Sequence, residues 1–116
     1  MDEPDEAPDL LPDEVLALQR AGALQRAGAL LVDVREVDEW DAGRIPGSFH
    51  LPLSELSDRW QELPDADDTV FVCRSGGRSR AAADAFTAAG RGGCANLMGG
   101  CQAWAAAALP FDGRVA

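Results

Sequence analysis

Lysine is absent from the 116 residues, and the ten basic side chains, all arginine, are joined by a single histidine, His50. Schiff-base chemistry and lysine phosphate clamps are therefore excluded, and few general bases remain. Cysteine is sparse as well. Cys73, Cys94 and Cys101 are separated by twenty and six residues, which fits no zinc-ligand spacing, so they read as reduced thiols without a metal. No cofactor is expected. No apolar run approaches the ~18 residues of a membrane span. The opening Met1-Asp2-Glu3-Pro4-Asp5-Glu6 is acidic where a signal peptide is basic and then apolar. A cytoplasmic protein with no membrane partner is the expectation. Positive charge is also in deficit: net charge is −10 and the pI about 4.3, a field that repels polyphosphate and argues against nucleic acid. A small anion would need local help to bind.

What is present fits one globular domain, with 47% hydrophobic and 26% charged residues. Residues 1–9 read as a solvated acidic tail and 10–116 as the folded domain. Leu11, Val15 and Leu18 recur at helical spacing, with Pro12 suited to a first turn. A tandem repeat follows, Leu18 to Ala23 and then Leu24 to Ala29, whose six-residue period is not helical; it reads as a lengthened helix-to-strand connection. Leu30 to Val34 reads as a buried parallel strand, Val37 to Ala42 as a short helix ended by Gly43, and Ser48 to Leu51 as a short strand. Ser54 is expected to cap a helix with Leu56, Trp60 and Leu63 on its apolar face, and Pro64 to Asp68 to form a loop. Thr69 to Val72 and Cys94 to Leu97 read as further strands. The helices after them carry Ala82, Ala85, Phe86 and Ala89, and Cys101, Trp104, Ala105 and Ala108, on their inner faces. Strands alternating with helices imply a parallel sheet with the functional edge at the strand carboxyl ends.

At one such end stands Cys73-Arg74-Ser75-Gly76-Gly77-Arg78-Ser79. A strand that delivers a cysteine into a Gly/Ser/Arg turn before a helix aims successive backbone N–H groups, and the positive end of the helix dipole, at one point. Such surroundings bring a thiol from about 8.5 to roughly 3.5 to 7.5, which makes Cys73 a candidate thiolate nucleophile. Burial alone does not explain two glycines and two arginines in the next five residues.

Four stretches in order resemble the single-domain rhodanese, or thiosulfate sulfurtransferase-like, family: Leu31-Val32-Asp33-Val34-Arg35-Glu36, Gly43-Arg44-Ile45-Pro46-Gly47-Ser48, the Cys73 loop through Ser79, and Asn96-Leu97-Met98-Gly99-Gly100 with Ala103-Trp104. Arg44 stands where the family usually carries histidine. The resemblance implies an α/β fold with a five-stranded parallel sheet and helices on both faces. It also implies that Cys73 takes the outer sulfur of a small anionic donor, thiosulfate or a persulfide, and passes it to cyanide, a low-molecular-weight thiol or a protein acceptor.

Within that frame Arg78 is expected to bind the donor's sulfonate, since a cation in a first helical turn opposes the dipole and needs another reason to be there. Arg74 either helps to bind the donor or points to solvent and merely raises the local potential, and Arg80 is expected at the surface. Gly76 and Gly77 are expected to permit positive φ and close backbone approach. Ser75 and Ser79 are hydroxyl donors to the substrate or local caps. Asp33 is expected to be structural, paired with Arg35. His50 has no sequence link to Cys73, Trp40 and Trp104 read as packing residues, and Cys94 and Cys101 as buried rather than resolving thiols. Two rival functions are a cysteine phosphatase or arsenate reductase, and a persulfide carrier or redox-sensing interaction module. Four residues separate Cys73 from Arg78, one fewer than in the phosphatase signature, which favours a compact sulfur substrate.

Overall fold

The computed structural model of the protein describes residues 6–22 and 28–116. Its sheet has five parallel strands in the order β1-β6-β5-β2-β4, built from β1 (Asp9–Leu10), β2 (Ala29–Asp33), β4 (Phe49–His50), β5 (Asp68–Val72) and β6 (Cys94–Leu97). Helices α1 (Pro12–Gly22), α2 (Val37–Ala42), α3 (Leu53–Arg59), α4 (Gly77–Ala88) and α5 (Gly100–Ala106) connect them. A separate antiparallel pair joins β3 (Gly43–Arg44) to β7 (Asp112–Gly113). The α/β architecture with a five-stranded parallel sheet is the expected one.

Side chains alternate across the central strands and divide the core in two. Val32, Phe71, Cys73 and Cys94 face α3 and α4 together with Leu56, Leu63, Ala82 and Ala83. Leu31, Val70, Val72, Ala95 and Leu97 face α1 and α5, where they meet Val15, Cys101 and Trp104. Both sheet faces are covered, which is why β2 and β5 read as continuous apolar runs.

Several expectations are corrected. Residues 7–9 do not belong to a solvated tail: Ala7 is buried, its N–H donates to Asp84 Oδ1 at 2.9 Å, and Asp9 and Leu10 pair with Asn96 and Leu97. Residues 1–5, and Ala23 to Ala27 of the tandem repeat, lie outside the described residues. Ser54 does not cap α3, because Pro52 stands at that position and the Ser54 hydroxyl donates instead to Glu36. Trp60 opens a 3-10 turn and is half exposed rather than packed. Ala85, Ala89, Ala105 and Ala108 are exposed, the inner face of α4 being made by Ser79, Ala82 and Ala83. Arg80 is not a free surface cation, since it pairs with Asp84 at 2.9 Å and with Asp9, fastening β1 to α4.

β2 and β5 run in register, Asp33 beside Val72, so the residues after both strands emerge at the same edge. There the Arg35 guanidinium, fully buried, meets Asp33 at 2.8 Å and donates to the carbonyls of Gly43 at 2.6 Å and Glu39 at 3.2 Å. The pair ties β2 to the middle and the C-terminal end of the α2 segment. Because a buried charge stripped of its partner is strongly unfavourable, Arg35→Leu is expected to lower stability by about 3–5 kcal/mol. Urea unfolding monitored by circular dichroism measures it, and a loss under about 1 kcal/mol would show that the pair does not organise this edge.

Candidate active site

The chain leaves β5 at Val72 and enters α4 at Gly77, so Cys73 to Gly76 form a tight loop at the carboxyl edge of the sheet. Gly76 holds φ +108°, and a Cβ there would lie 3.3 Å from the Gly99 backbone nitrogen. The backbone angle calls for glycine, and the close neighbour leaves a larger residue little room. Gly77 departs from expectation: it is an ordinary first residue of α4 with open space around it and no positive φ.

This turn folds the first N–H groups of α4 back over the cysteine. Cys73 Sγ accepts the Gly76 N–H at 3.0 Å and lies 3.2 Å from the Ser79 hydroxyl oxygen. Burial alone raises the Cys73 pKa, but hydrogen bonds from the Ser79 hydroxyl and from the N–H groups of Ser79, Gly76 and Ser75 outweigh it and bring the thiol below its ordinary value. The Ser79 oxygen is also 2.6 Å from Asn96 Oδ1. A hydroxyl has one proton, so Ser79 serves either the asparagine or the sulfur, and turning it toward Sγ answers negative charge there. Asn96 is held in turn by its amide N–H, which donates to Asp9 Oδ1 at 2.9 Å. Ser79 and Asn96 are both buried.

The loop's carbonyl side is held by the start of α5. Cys101 N–H donates to Cys73 O at 2.8 Å and Gln102 N–H to Arg74 O at 3.0 Å. Gly100 makes this approach possible, for its φ is +60° and a Cβ would fall 2.4 Å from Cys73 O. Gly99-Gly100 and Asn96 were visible in the sequence as a motif, but only the contact gives them roles in fixing the loop.

Neither loop arginine is free. Arg78 forms a two-pronged pair with Glu39 of α2, at 2.7 and 2.8 Å. This pair pulls the Glu39 carboxyl down to about 2 and raises the Arg78 pKa, to which the nearby Cys73 also contributes. Arg74 is exposed; its Nε donates to Ala116 O at 2.7 Å, and the Gln102 side-chain oxygen, with the amide oriented to suit, accepts from its guanidinium at 2.8 and 3.1 Å. Ser75 is exposed and contributes its backbone N–H. Asp33 and Arg35 form the expected pair, at one remove from the loop through the α2 backbone.

Other residues take packing positions. His50 Nε2 lies 2.7 Å from Arg35 O and its ring stacks on Trp40 at 4.7 Å, while Arg44 covers the Trp40 ring at 4.5 Å. A planar cation thus stacks where the family motif has an imidazole. A groove of about 600 Å³ between α3 and α4, lined by Leu53, Leu56, Trp60 and Phe86 among others, includes no residue of the 73–79 loop.

Comparison with known proteins agrees with this fold. The rhodanese-like domain profile matches residues 11–107. A sulfurtransferase of Allochromatium vinosum is 42% identical over 82 residues, spanning 71% of this chain and 77% of its own. The thiosulfate sulfurtransferase GlpE of Haemophilus influenzae is 30% identical over 103 residues, spanning 88% and 97%. Three other relatives are longer, and this chain spans 40%, 49% and 48% of them. Among solved structures, a rhodanese-related protein from Thermoplasma volcanium superposes with a TM-score of 0.78 at 26% identity, over 90% of this chain and 96% of that one. Fold and relatives agree, and the chain belongs to the rhodanese-like domain family, whose relatives here include proteins named as sulfurtransferases.

Proposed function

We propose that this protein moves a sulfane sulfur from thiosulfate or a related persulfide donor to a thiophilic acceptor, cyanide or a thiol, through a persulfide on Cys73. The observation that carries the reading is the convergence of the Gly76 N–H and the Ser79 hydroxyl on one sulfur, whose pKa is lowered although it is buried. The Cys73 thiolate attacks the outer sulfur of thiosulfate, the S–S bond breaks, and its electron pair leaves with sulfite. Charge balances, because one thiolate and one dianion give one persulfide anion and one sulfite dianion. In the second half, cyanide or a thiolate attacks the outer sulfur of the persulfide and the Cys73 thiolate is regenerated. Splitting the transfer in this way is covalent catalysis.

The same donors suit both states of the sulfur. Backbone N–H groups aimed at Sγ stabilise the thiolate and, after transfer, the negative persulfide beside it. No general base is required once the thiol is ionised, which agrees with His50 being engaged by the Arg35 carbonyl. Arg78 binds the sulfonate of an anionic donor after exchange of its carboxylate partner. The four-residue spacing from Cys73 to Arg78 favours this reading over phosphatase or arsenate reductase chemistry.

Intact mass after thiosulfate treatment is expected to show one added sulfur in the wild type and none in Cys73→Ala. Thiocyanate formation is expected to vanish in Cys73→Ser. Arg78→Ala is expected to raise KM for thiosulfate roughly tenfold with a smaller change in kcat, since it removes a charge-assisted contact to the donor. A wild type that hydrolyses aryl phosphate faster than it consumes thiosulfate would overturn the reading. The ionisation is checked separately: iodoacetamide should label Cys73 with a midpoint below that of an ordinary thiol, and Ser79→Ala should move that midpoint up. Cys94 is shifted up by burial and Cys101 is pushed up to about 12, so labelling near neutral pH should be confined to Cys73. An unshifted midpoint would leave the thiolate without its physical basis.

A further inference from the structure

The two-pronged contact between Arg78 and Glu39 bears on which donor this loop accepts, provided the sulfurtransferase reading above holds. A guanidinium presents its two terminal nitrogens to a carboxylate in a fixed fork, and here Glu39 already occupies that fork at 2.7 and 2.8 Å, leaving a second anion only the Nε edge beside it. Glu39 is also firmly placed. Its Oε1 accepts the Glu36 N–H at 3.1 Å, completing a capping box on α2, and its backbone carbonyl accepts from the buried Arg35 at 3.2 Å. The carboxylate is 17% exposed, against 37% for Arg78. With its pKa near 2 it stays ionised across the working pH range, so protonation does not release the arginine.

We infer that Glu39 is a specificity-determining residue: by occupying Arg78 it disfavours sulfonate-bearing donors such as thiosulfate relative to alkyl persulfides, which need no guanidinium. A thiosulfate dianion must displace the Glu39 carboxylate or share the guanidinium with it, and either way the two negative groups lie side by side. It also enters against a net charge of −10, with Arg74 already engaged by Gln102 and Ala116. An alkyl persulfide meets only the N–H cradle. The Cys73 thiolate attacks its outer sulfur, the S–S bond breaks and the alkyl thiolate leaves, so that one persulfide is exchanged for another. No oxidant is needed.

Glu39→Gln tests this, because glutamine keeps the acceptor for Glu36 N–H and leaves the backbone carbonyl on Arg35 in place while losing the charge. Initial rates are measured with thiosulfate and with the persulfide of N-acetylcysteine methyl ester. The variant's thiosulfate kcat/KM, relative to that for the alkyl persulfide, is expected to rise about five- to tenfold, mostly through a lower KM, as befits an ion pair of this exposure. Arg78→Ala in the Glu39→Gln background is expected to abolish the gain. A second measurement uses no turnover: protection of Cys73 from iodoacetamide by sulfate should need several-fold less sulfate in the variant. An unchanged or lower ratio together with unchanged sulfate protection would overturn the assignment while sulfur loading of Cys73 by either donor kept the sulfurtransferase reading intact. Failure of both donors to load wild-type Cys73 would remove both.

Discussion

The site depends on a loop clamped from two sides by backbone N–H groups. From one side, the Gly76 N–H at the entry to α4 points at the Cys73 sulfur; from the other, the Cys101 and Gln102 N–H groups of α5 hold the carbonyls of Cys73 and Arg74. A sulfur aimed at a helix start and carbonyls aimed at another fix the peptide planes of the turn in one sense, with N–H inward and C=O outward. Two glycines permit it, Gly76 by its positive φ and Gly100 by the absence of a Cβ that would strike Cys73 O. The parallel sheet supplies the rest, since in-register β2, β5 and β6 bring Asp33, Cys73 and Asn96 to one edge.

Around that clamp, three arginines are answered by carboxylates, while the exposed Arg74 is held by Gln102 and Ala116 O. Arg35 is answered by Asp33, Arg78 by Glu39, and Arg80 by Asp84 and Asp9. The strongly negative chain therefore presents an anion cradle made of dipoles instead of surplus cations. Dipoles attract a negative sulfur over a few ångströms and act little at long range, whereas the net charge acts over roughly a Debye length of about 8–10 Å. Short-range stabilisation of a thiolate and long-range repulsion of polyanions are thus compatible in one small domain.

The parts of this arrangement legible in the sequence are those encoded locally. β5, the glycine-containing turn and α4 are contiguous, so composition alone revealed a cysteine at a helix start, and the apolar runs of β2 and β6 were as plain. Long-range pairings were not visible. Glu39 and Arg78 are 39 residues apart and Asn96 and Ser79 are 17, and neither spacing carries a periodic signal. β1 escaped because a two-residue strand has no pattern of its own; it is held by its register with Asn96 and Leu97 and by Arg80. Gly77 was credited with a left-handed backbone by association with Gly76, yet a turn this tight needs only one such residue. Arg44 looked like a defect in a motif, and its stack on Trp40 shows how another planar cation fills that place.

The three cysteines separate two explanations of thiol ionisation. All are buried, Cys73 at 1%, Cys94 at 6% and Cys101 at 0% exposure, so desolvation pushes each toward the neutral form. Only Cys73 moves the other way. Cys94 sits at the start of β6, with its thiol 3.5 Å from the Arg91 carbonyl, an acceptor that favours S–H. Cys101 faces the α1 and α5 side of the sheet while Cys73 faces the α3 and α4 side. Burial raises the Cys101 pKa and Arg35 lowers it, but the charges of Asp33, Cys73 and Glu39 side with burial and the thiol stays high. A single cation at a distance is therefore weaker here than several donors in contact, and the hydrogen-bond geometry of the turn, more than the arginines that make the motif conspicuous, distinguishes Cys73 from its neighbours.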